Sequence, residues 1–139
     1  MCIKKGGVSK GITYGAGRKI LKDYNEYLAA NKELDYREIL VTPAYNLKHN
    51  SSILHVRSPN INNTHFDTGL SINELIYYNL FNKSFIEMNT SSICTPLIGT
   101  GGMKISLSDS ANDLLVALQQ FLKENRSMLE KSAKKLFTL

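Results

Sequence analysis

The chain of 139 residues is 42% hydrophobic and has a formal net charge of +5. This length and composition predict one soluble domain over residues 1–139, with an apolar core and with no membrane span or signal peptide. The Lys and Arg residues are spread along the chain, which favours a polyanionic partner or, with equal weight, simple solubility.

Two cysteines, Cys2 and Cys94, are too few for a disulfide framework, and neither lies at a spacing typical of metal ligands. We therefore expect no metal and no cofactor, and a reducing compartment such as the cytoplasm or the nucleus. Cys94 lies in an apolar run, so it is predicted to be a small buried side chain.

A helix is predicted after the glycine pair Gly6-Gly7, with Ser9 placed to cap its start. Apolar residues then recur at three- and four-residue spacing, which predicts one buried stripe. The stripe consists of Ile12, Ala16, Ile20, Tyr24, Tyr27 and Leu28. At this spacing the two tyrosines are more typical of a core than of a platform for stacking bases.

Two β-rich segments, residues 38–42 and 52–57, are separated by a polar turn and are predicted to pair as a hairpin. Pro43 ends regular pairing of the first strand because proline has no N–H. His55 lies in the second strand and has no partner carboxylate nearby, so we interpret it as a core or edge histidine rather than a catalytic base. His49 and His65 lie in predicted loops and are expected to be solvated.

A second helix is predicted to begin at Ser71, which can cap it, and to run to about Met88. Its predicted inward positions are Ile72, Leu75, Ile76, Leu80 and Phe81. Residues 92–98 follow as a short buried strand.

The last long helix is predicted to begin at Ser106, with Asp109 completing a pattern that resembles a capping box. Its predicted stripe consists of Ala111, Leu114, Leu115, Leu118, Phe121 and Leu122. Residues 135–139 are predicted as a final short strand. Because helices and strands interleave along the chain, the predicted class is α/β, with helices covering a mixed sheet.

A glycine-rich segment with Gly99, Gly101 and Gly102 joins the predicted strand to the last long helix. Glycines leave the backbone bare, so a ligand can approach main-chain N–H groups closely. Those N–H groups, together with the positive end of the following helix, suit an anion such as a phosphate. The alternative is an ordinary glycine turn. The pair Gly6-Gly7, which also opens a helix, favours the anion site.

Four stretches match the parts of a known family. They are residues 6–12 with 15–17 as its first phosphate loop and helix start, 42–47 with 53–59 as its central hairpin, 78–80 with 92–96 as its helix and following strand, and 99–103 as its second phosphate loop. In this order and spacing the chain resembles a macrodomain, the ADP-ribose-binding module. The resemblance implies a three-layer α/β/α fold with a mixed central sheet. Viral macrodomains have a similar helix–hairpin–helix layout, so a viral origin stays open.

The resemblance also implies a ligand-binding set of two loops. The first loop, which would hold the diphosphate from one side, consists of Gly6, Gly7, Val8 and Ser9. The second loop, which would hold the other phosphate and the distal ribose, consists of Gly99, Thr100, Gly101 and Gly102. Met103 falls where the family often has an aromatic residue, and it can cover the ribose by apolar contact.

The chain departs from the family pattern at its beginning. In the family, strands before the first loop provide an aspartate that recognises adenine and an asparagine-rich segment beside the distal ribose. No counterpart precedes Lys5, which itself stands where a third glycine is usual. We expect either a segment of a larger protein or a chain without these strands, with an incomplete adenine end. The family's hydrolases commonly use the missing asparagine, so no catalytic residue is assigned.

The sequence leaves three functions open. The first is binding of ADP-ribose or of ADP-ribosylated protein. The second is a mono-ADP-ribosyl hydrolase, against which the missing asparagine segment counts. The third is a degenerate macrodomain that binds RNA or poly(ADP-ribose) through its basic surface, or that serves as a scaffold.

Overall fold

The computed structural model describes residues 7–31, 33–59 and 69–137. This part of the chain contains four α-helices, a two-stranded sheet and a π-helical turn. Gly6, Cys2 and His65 lie outside the described residues, so the expectations for these three residues stay predictions.

The first predicted helix is two helices, α1 over Gly7–Ala16 and α2 over Lys19–Asn31. Gly17 separates them with a φ of +91°, a left-handed conformation that glycine adopts at low cost. Its N–H donates to the carbonyl of Thr13 at 3.0 Å and closes the end of α1. The predicted stripe continues across the break, and its fully buried members are Ala16, Ile20 and Tyr24.

Ser9 does not cap α1, because the helix begins at Gly7. Ser9 therefore lies inside the first turn, where it is buried and where its carbonyl accepts a hydrogen bond of 2.8 Å from the Thr13 hydroxyl. The prediction of this cap was wrong, because Gly7 and Val8 already lie in the helix ahead of Ser9.

The predicted hairpin is confirmed. Strand β1, Leu40–Pro43, pairs antiparallel with β2, Ser52–His55, with Leu40 opposite His55 and Pro43 opposite Ser52. Pairing ends at Pro43, as expected for a residue without an N–H.

Helix α3, Ile72–Phe81, begins at the predicted cap. The Ser71 hydroxyl accepts from the N–H of Glu74 at 3.2 Å, and the Glu74 carboxylate accepts from the N–H of Ser71 at 3.0 Å, which completes a capping box. A π-helical turn, Asn82–Glu87, extends the element to Met88, the predicted end. All five predicted inward side chains of α3 are buried.

The hairpin lies between helices, and each of its two faces packs against a different set of them. On one face, Ile53 packs with α1 and α2, and the ring of His55 stacks on Tyr24 with the ring centroids 6.1 Å apart. On the other face, Leu54 and Val56 pack against α3. This alternation follows from the period of two in a strand and gives each side of the hairpin its own apolar cluster.

Helix α4, Leu107–Phe137, is capped at Ser106, whose hydroxyl accepts from the N–H of Asp109 at 3.0 Å. The helix continues to Phe137, so the predicted strand over residues 135–139 was wrong up to that residue, and residues 138–139 lie outside the description.

The buried face of α4 differs from the predicted stripe. Ser110, Ala117 and Phe121 are buried against α3, whereas Leu115 and Leu122 are 55% and 45% exposed. A helix turns by about 100° per residue, so Leu115 and Leu122 point well away from the line through Ser110 and Phe121. The prediction of these two leucines as core residues was wrong.

The mixed sheet is not confirmed. The described residues form one sheet of two antiparallel strands, and the predicted strand at residues 92–98 is irregular. Ile93 and Ile98 both pack inward, whereas Cys94 is exposed, so the prediction of a buried Cys94 was wrong. A segment becomes a strand only where a neighbour takes its backbone hydrogen bonds, and no described neighbour does so here.

Candidate functional site

Of the first predicted loop, Gly7, Val8 and Ser9 lie in the first turn of α1, and Gly6 lies outside the described residues. The first N–H groups of a helix have no acceptor within it, so this turn presents hydrogen-bond donors at the positive end of the helix. A side chain added at Gly7 would meet no atom within 4 Å, and Val8 is 52% exposed, whereas the Ser9 side chain is buried. Any ligand contact of Ser9 must therefore use its backbone.

The second predicted loop, Gly99 to Gly102, is closed by backbone hydrogen bonds from the residues that follow it. The N–H of Ile105 donates to the carbonyl of Gly99, and that of Lys104 to the carbonyl of Gly101, both at 3.0 Å. Gly99 has a φ of +83°, which suits only glycine without strain. The Thr100 hydroxyl donates to the Leu97 carbonyl at 2.8 Å, so this side chain is engaged in the loop itself.

The outer side of the second loop is open. A side chain added at Gly101 or Gly102 would meet no atom within 4 Å, and Met103 is 38% exposed. Within the described part of the chain, the N–H groups of residues 99–103 donate to no other residue. The loop therefore offers several unpaired backbone donors to an anion.

A ring of hydrogen bonds anchors the residue before this loop. The N–H of Ile98 donates to the Tyr77 hydroxyl oxygen at 2.7 Å, and the Ser110 hydroxyl donates to the Ile98 carbonyl at 2.7 Å. The hydroxyls of Tyr77 and Ser110 are 2.8 Å apart. Both side chains are fully buried, so α3 and α4 together hold the main chain where the loop begins.

A second anchor is the side chain of Asn73, which is buried in α3. Its amide nitrogen donates to the Asp113 carboxylate at 3.0 Å and to the Ile98 carbonyl at 3.4 Å. Sequence reasoning missed Asn73, Tyr77 and Ser110. The signal available in the sequence was that these polar side chains share a helix face with core residues. A polar group buried on such a face is almost always hydrogen-bonded, so each of the three indicates a hydrogen bond inside the core.

The two loops belong to different parts of the core. The first turn of α1 continues into the cluster of α1, α2 and the hairpin, whereas Ile98 packs with α3 and α4. Among the described residues no hydrogen bond joins one loop to the other, and Gly6 lies outside the description. Their joint action on one ligand therefore stays a prediction.

A polar cleft of about 340 Å³ lies elsewhere, between the end of α2 and the π-helical turn. Lys83 is paired with Glu87 at 2.6 Å, and the Tyr27 hydroxyl donates to Glu38 at 3.1 Å. The cleft is lined by Glu38 and Glu87 as well as by Arg37 and Lys83, so its charges balance and give a diphosphate no net attraction. We therefore place the candidate site at the glycine loops.

Titratable groups add no second site among the described residues. His55 is buried, and burial lowers its pKa to about 4, so its ring is neutral at pH 7 and belongs to the core, as predicted. His49 is exposed, also as predicted. No group of His, Cys, Asp and Glu in the described chain could hold a metal ion, and no described helix is long and apolar enough to cross a membrane.

The chain matches the family model described as Macro domain over residues 1–113. It therefore belongs to the macrodomain family. This membership confirms the predicted resemblance. A comparison with curated proteins found no match.

The solved structures that match include macrodomains of Oceanobacillus iheyensis. The forms with MES bound and with ADP each have a TM-score of 0.73 and 28% identity, covering 87% of this chain and 64% of theirs. A point mutant with ADPR has a TM-score of 0.69 at 23% identity, covering 96% of this chain and 79% of its own, and shows the fold alone. This chain thus spans less than two thirds of the length of the first two structures.

Proposed function

We propose that this macrodomain binds ADP-ribose, free or attached to a protein, through the first turn of α1 and the second glycine loop. The observation that supports the proposal most directly is the open face of residues 99–103, whose N–H groups have no acceptor in the described chain. The relative at 28% identity whose structure contains ADP supports a ligand with a diphosphate.

In this proposal the diphosphate is bound by backbone donors rather than by side-chain cations. Gly101 and Gly102 leave room for close approach, and the N–H groups of Gly7 and Val8 add the positive end of a helix. Met103, which is partly exposed at the end of the loop, covers the distal ribose by apolar contact.

The test is a calorimetric titration of the purified chain with ADP-ribose, ADP and AMP. We expect an ADP-ribose Kd of about micromolar order and AMP binding at least about tenfold weaker, because AMP lacks the second phosphate and the distal ribose. If ADP binds about as tightly as ADP-ribose, most of the affinity comes from the part that the two ligands share, which includes the diphosphate. A folded protein that releases no heat with ADP-ribose would refute the proposal.

The same preparation separates the two other functions that the sequence leaves open. Release of ADP-ribose from a modified protein, with excess enzyme and long incubation, would add the hydrolase activity. Affinity for RNA or poly(ADP-ribose) that falls steeply with salt, together with no affinity for ADP-ribose, would favour the basic surface instead.

A further inference from the structure

We propose that Tyr77 and Ser110 are positioning residues that hold the second glycine loop in its binding geometry in the free protein. The inference rests on the proposed function only for its consequence, the affinity for ADP-ribose. The observation behind it is the ring of hydrogen bonds around Ile98, the residue directly before Gly99.

The direction of each hydrogen bond in this ring follows from the chemistry of the groups. The N–H of Ile98 can only donate, so the Tyr77 oxygen accepts from it, and the Ile98 carbonyl can only accept, so the Ser110 hydroxyl donates to it. The remaining proton, on the Tyr77 hydroxyl, then points to the Ser110 oxygen at 2.8 Å. Each hydroxyl donates once and accepts once, and such chains strengthen one another in a buried site.

This ring matters because it acts at the residue where the conformationally free part of the chain begins. Three of the residues 99–102 are glycines, which have the greatest conformational freedom of any residue. A loop that must be ordered on binding loses affinity, whereas one that is already ordered does not. By fixing both polar groups of Ile98, Tyr77 and Ser110 set the direction in which the chain enters the loop.

The neighbouring residue Tyr78 provides a matched control for Tyr77. Its hydroxyl donates to the Glu124 carboxylate on α4, away from Ile98, and its ring packs edge-on against Phe121 with the centroids 6.3 Å apart. Tyr77→Phe and Tyr78→Phe each remove one hydroxyl that links α3 to α4. Only the first removes a hydrogen-bond partner of Ile98. With a purely structural role, the loop amides of both variants would therefore exchange at the same rate once the change in global stability is corrected for.

The experiment measures amide hydrogen exchange by NMR in the ligand-free proteins. We expect Tyr77→Phe to accelerate exchange at Lys104 and Ile105, whose N–H groups close the loop, by about tenfold or more. The exchange rate of the Phe121 amide, in the buried part of α4, reports global unfolding and is used to correct the loop rates for any change in global stability. Tyr78→Phe is expected to leave the corrected rates of the loop amides unchanged.

The affinity for ADP-ribose is the second readout, and we expect it to be about tenfold weaker in Tyr77→Phe than in Tyr78→Phe. Equal corrected exchange rates at Lys104 and Ile105 in the two variants would overturn the positioning role. If Tyr77→Phe does not fold, Ser110→Ala takes its place, with the exposed Ser108→Ala as its control. An unmodified chain that does not bind ADP-ribose would refute the proposed function, while the exchange rates would still decide the positioning role.

Discussion

The hydroxyl of Thr42 lies 2.9 Å from Nε2 of His55 and joins the two strands of the hairpin inside the core. The second ring nitrogen, Nδ1, is buried and has no hydrogen-bond partner in the described chain. A protonated ring would place a donor there without an acceptor, in addition to a buried charge. The structure therefore requires a neutral His55.

The buried histidine predicts a loss of stability in mild acid. Because burial lowers the folded-state pKa of His55 from 6.5 to about 4, the unfolded chain binds the proton more tightly between these values. The stabilisation is fully present above pH 6.5 and is lost as the pH falls towards 4. We expect the free energy of unfolding to fall by about 2 kcal/mol between pH 7 and pH 5, measured by urea denaturation.

Two glutamine variants test whether His55 causes this pH dependence. His55→Gln should flatten the dependence between pH 7 and 5, whatever its effect on the stability itself. His49→Gln, at an exposed position, should keep it. Parallel curves for His55→Gln and the unmodified chain would contradict the assignment.

Asn73→Asp should destabilise the fold, increasingly so as the pH rises. The new carboxyl would face the Asp113 carboxylate and the Ile98 carbonyl, where the amide now donates to both. Crowding two carboxylates raises the pKa of one of them, so the folded state retains a proton that the unfolded state has released. The penalty is smallest near pH 4 and reaches about 3 kcal/mol at pH 7.

Asn25→Asp, on the exposed side of α2, makes the same chemical change away from this network. Its free energy of unfolding, measured by urea denaturation, should differ from that of the unmodified chain by less than about 0.5 kcal/mol. A penalty for Asn73→Asp that does not change between pH 4 and 7 would mean that the Asp113 carboxylate is not its cause.

Two glycine-to-alanine substitutions should change stability in opposite directions. At Gly17 the φ of +91° is strained for alanine, and the added carbon would lie 2.8 Å from the Asn46 amide nitrogen. We expect Gly17→Ala to lower the free energy of unfolding by about 1–3 kcal/mol. Gly11, inside α1, has no atom within 4 Å of an added carbon, so alanine there should stabilise by about 0.5–1 kcal/mol. Thermal denaturation measures both, and changes of the same sign would contradict the break between α1 and α2.

The face of α4 that packs against α3 can be tested with two adjacent residues. Phe121 is buried and lies against Phe81, with the ring centroids 5.9 Å apart, whereas Leu122 is 45% exposed. Phe121→Ala should lower the free energy of unfolding by about 3–5 kcal/mol, because it leaves a cavity. Leu122→Ala should lower it by less than about 1 kcal/mol. Denaturant titration measures both losses. A larger loss at Leu122 than at Phe121 would mean that α4 packs against α3 with a different face.

Gly101→Glu should abolish binding of ADP-ribose without unfolding the protein. The position is exposed and has free space around an added carbon, so the fold tolerates the side chain. Its carboxylate would lie against the bound diphosphate, and we expect the Kd to rise by about 100-fold or more.

The control is Asn25→Glu, which changes the net charge equally at an exposed position on α2. Calorimetry should find its affinity unchanged. Unaltered binding by Gly101→Glu would remove the second loop from the ligand site.

Local patterns in the sequence predicted much of the fold correctly. The predicted cap at Ser71 depends on a partner only three residues along the chain, and the stripe of Ala16, Ile20 and Tyr24 has the period of a helix. The hairpin likewise joins two β-rich segments that are near neighbours in the chain. These features depend on short-range geometry, which the order of residues specifies. The ordered glycine motifs also identified the family.

The omissions and several errors concern contacts between distant segments, whereas three errors were local: the cap at Ser9, the unbroken first helix and the strand predicted over residues 135–139. Whether Leu115 or Ala117 faces the core depends on how α4 is rotated against α3, and the exposure of Cys94 depends on which neighbours residues 92–98 have. The ring of Tyr77, Ser110 and Ile98 joins residues up to 33 positions apart. The sequence by itself determined the hairpin, the start of α3 and the family, because these follow from local periodicity and motif order. Only the tertiary structure decided which polar side chains hold the glycine loop, because hydrogen bonds between distant residues exist only once the helices have packed.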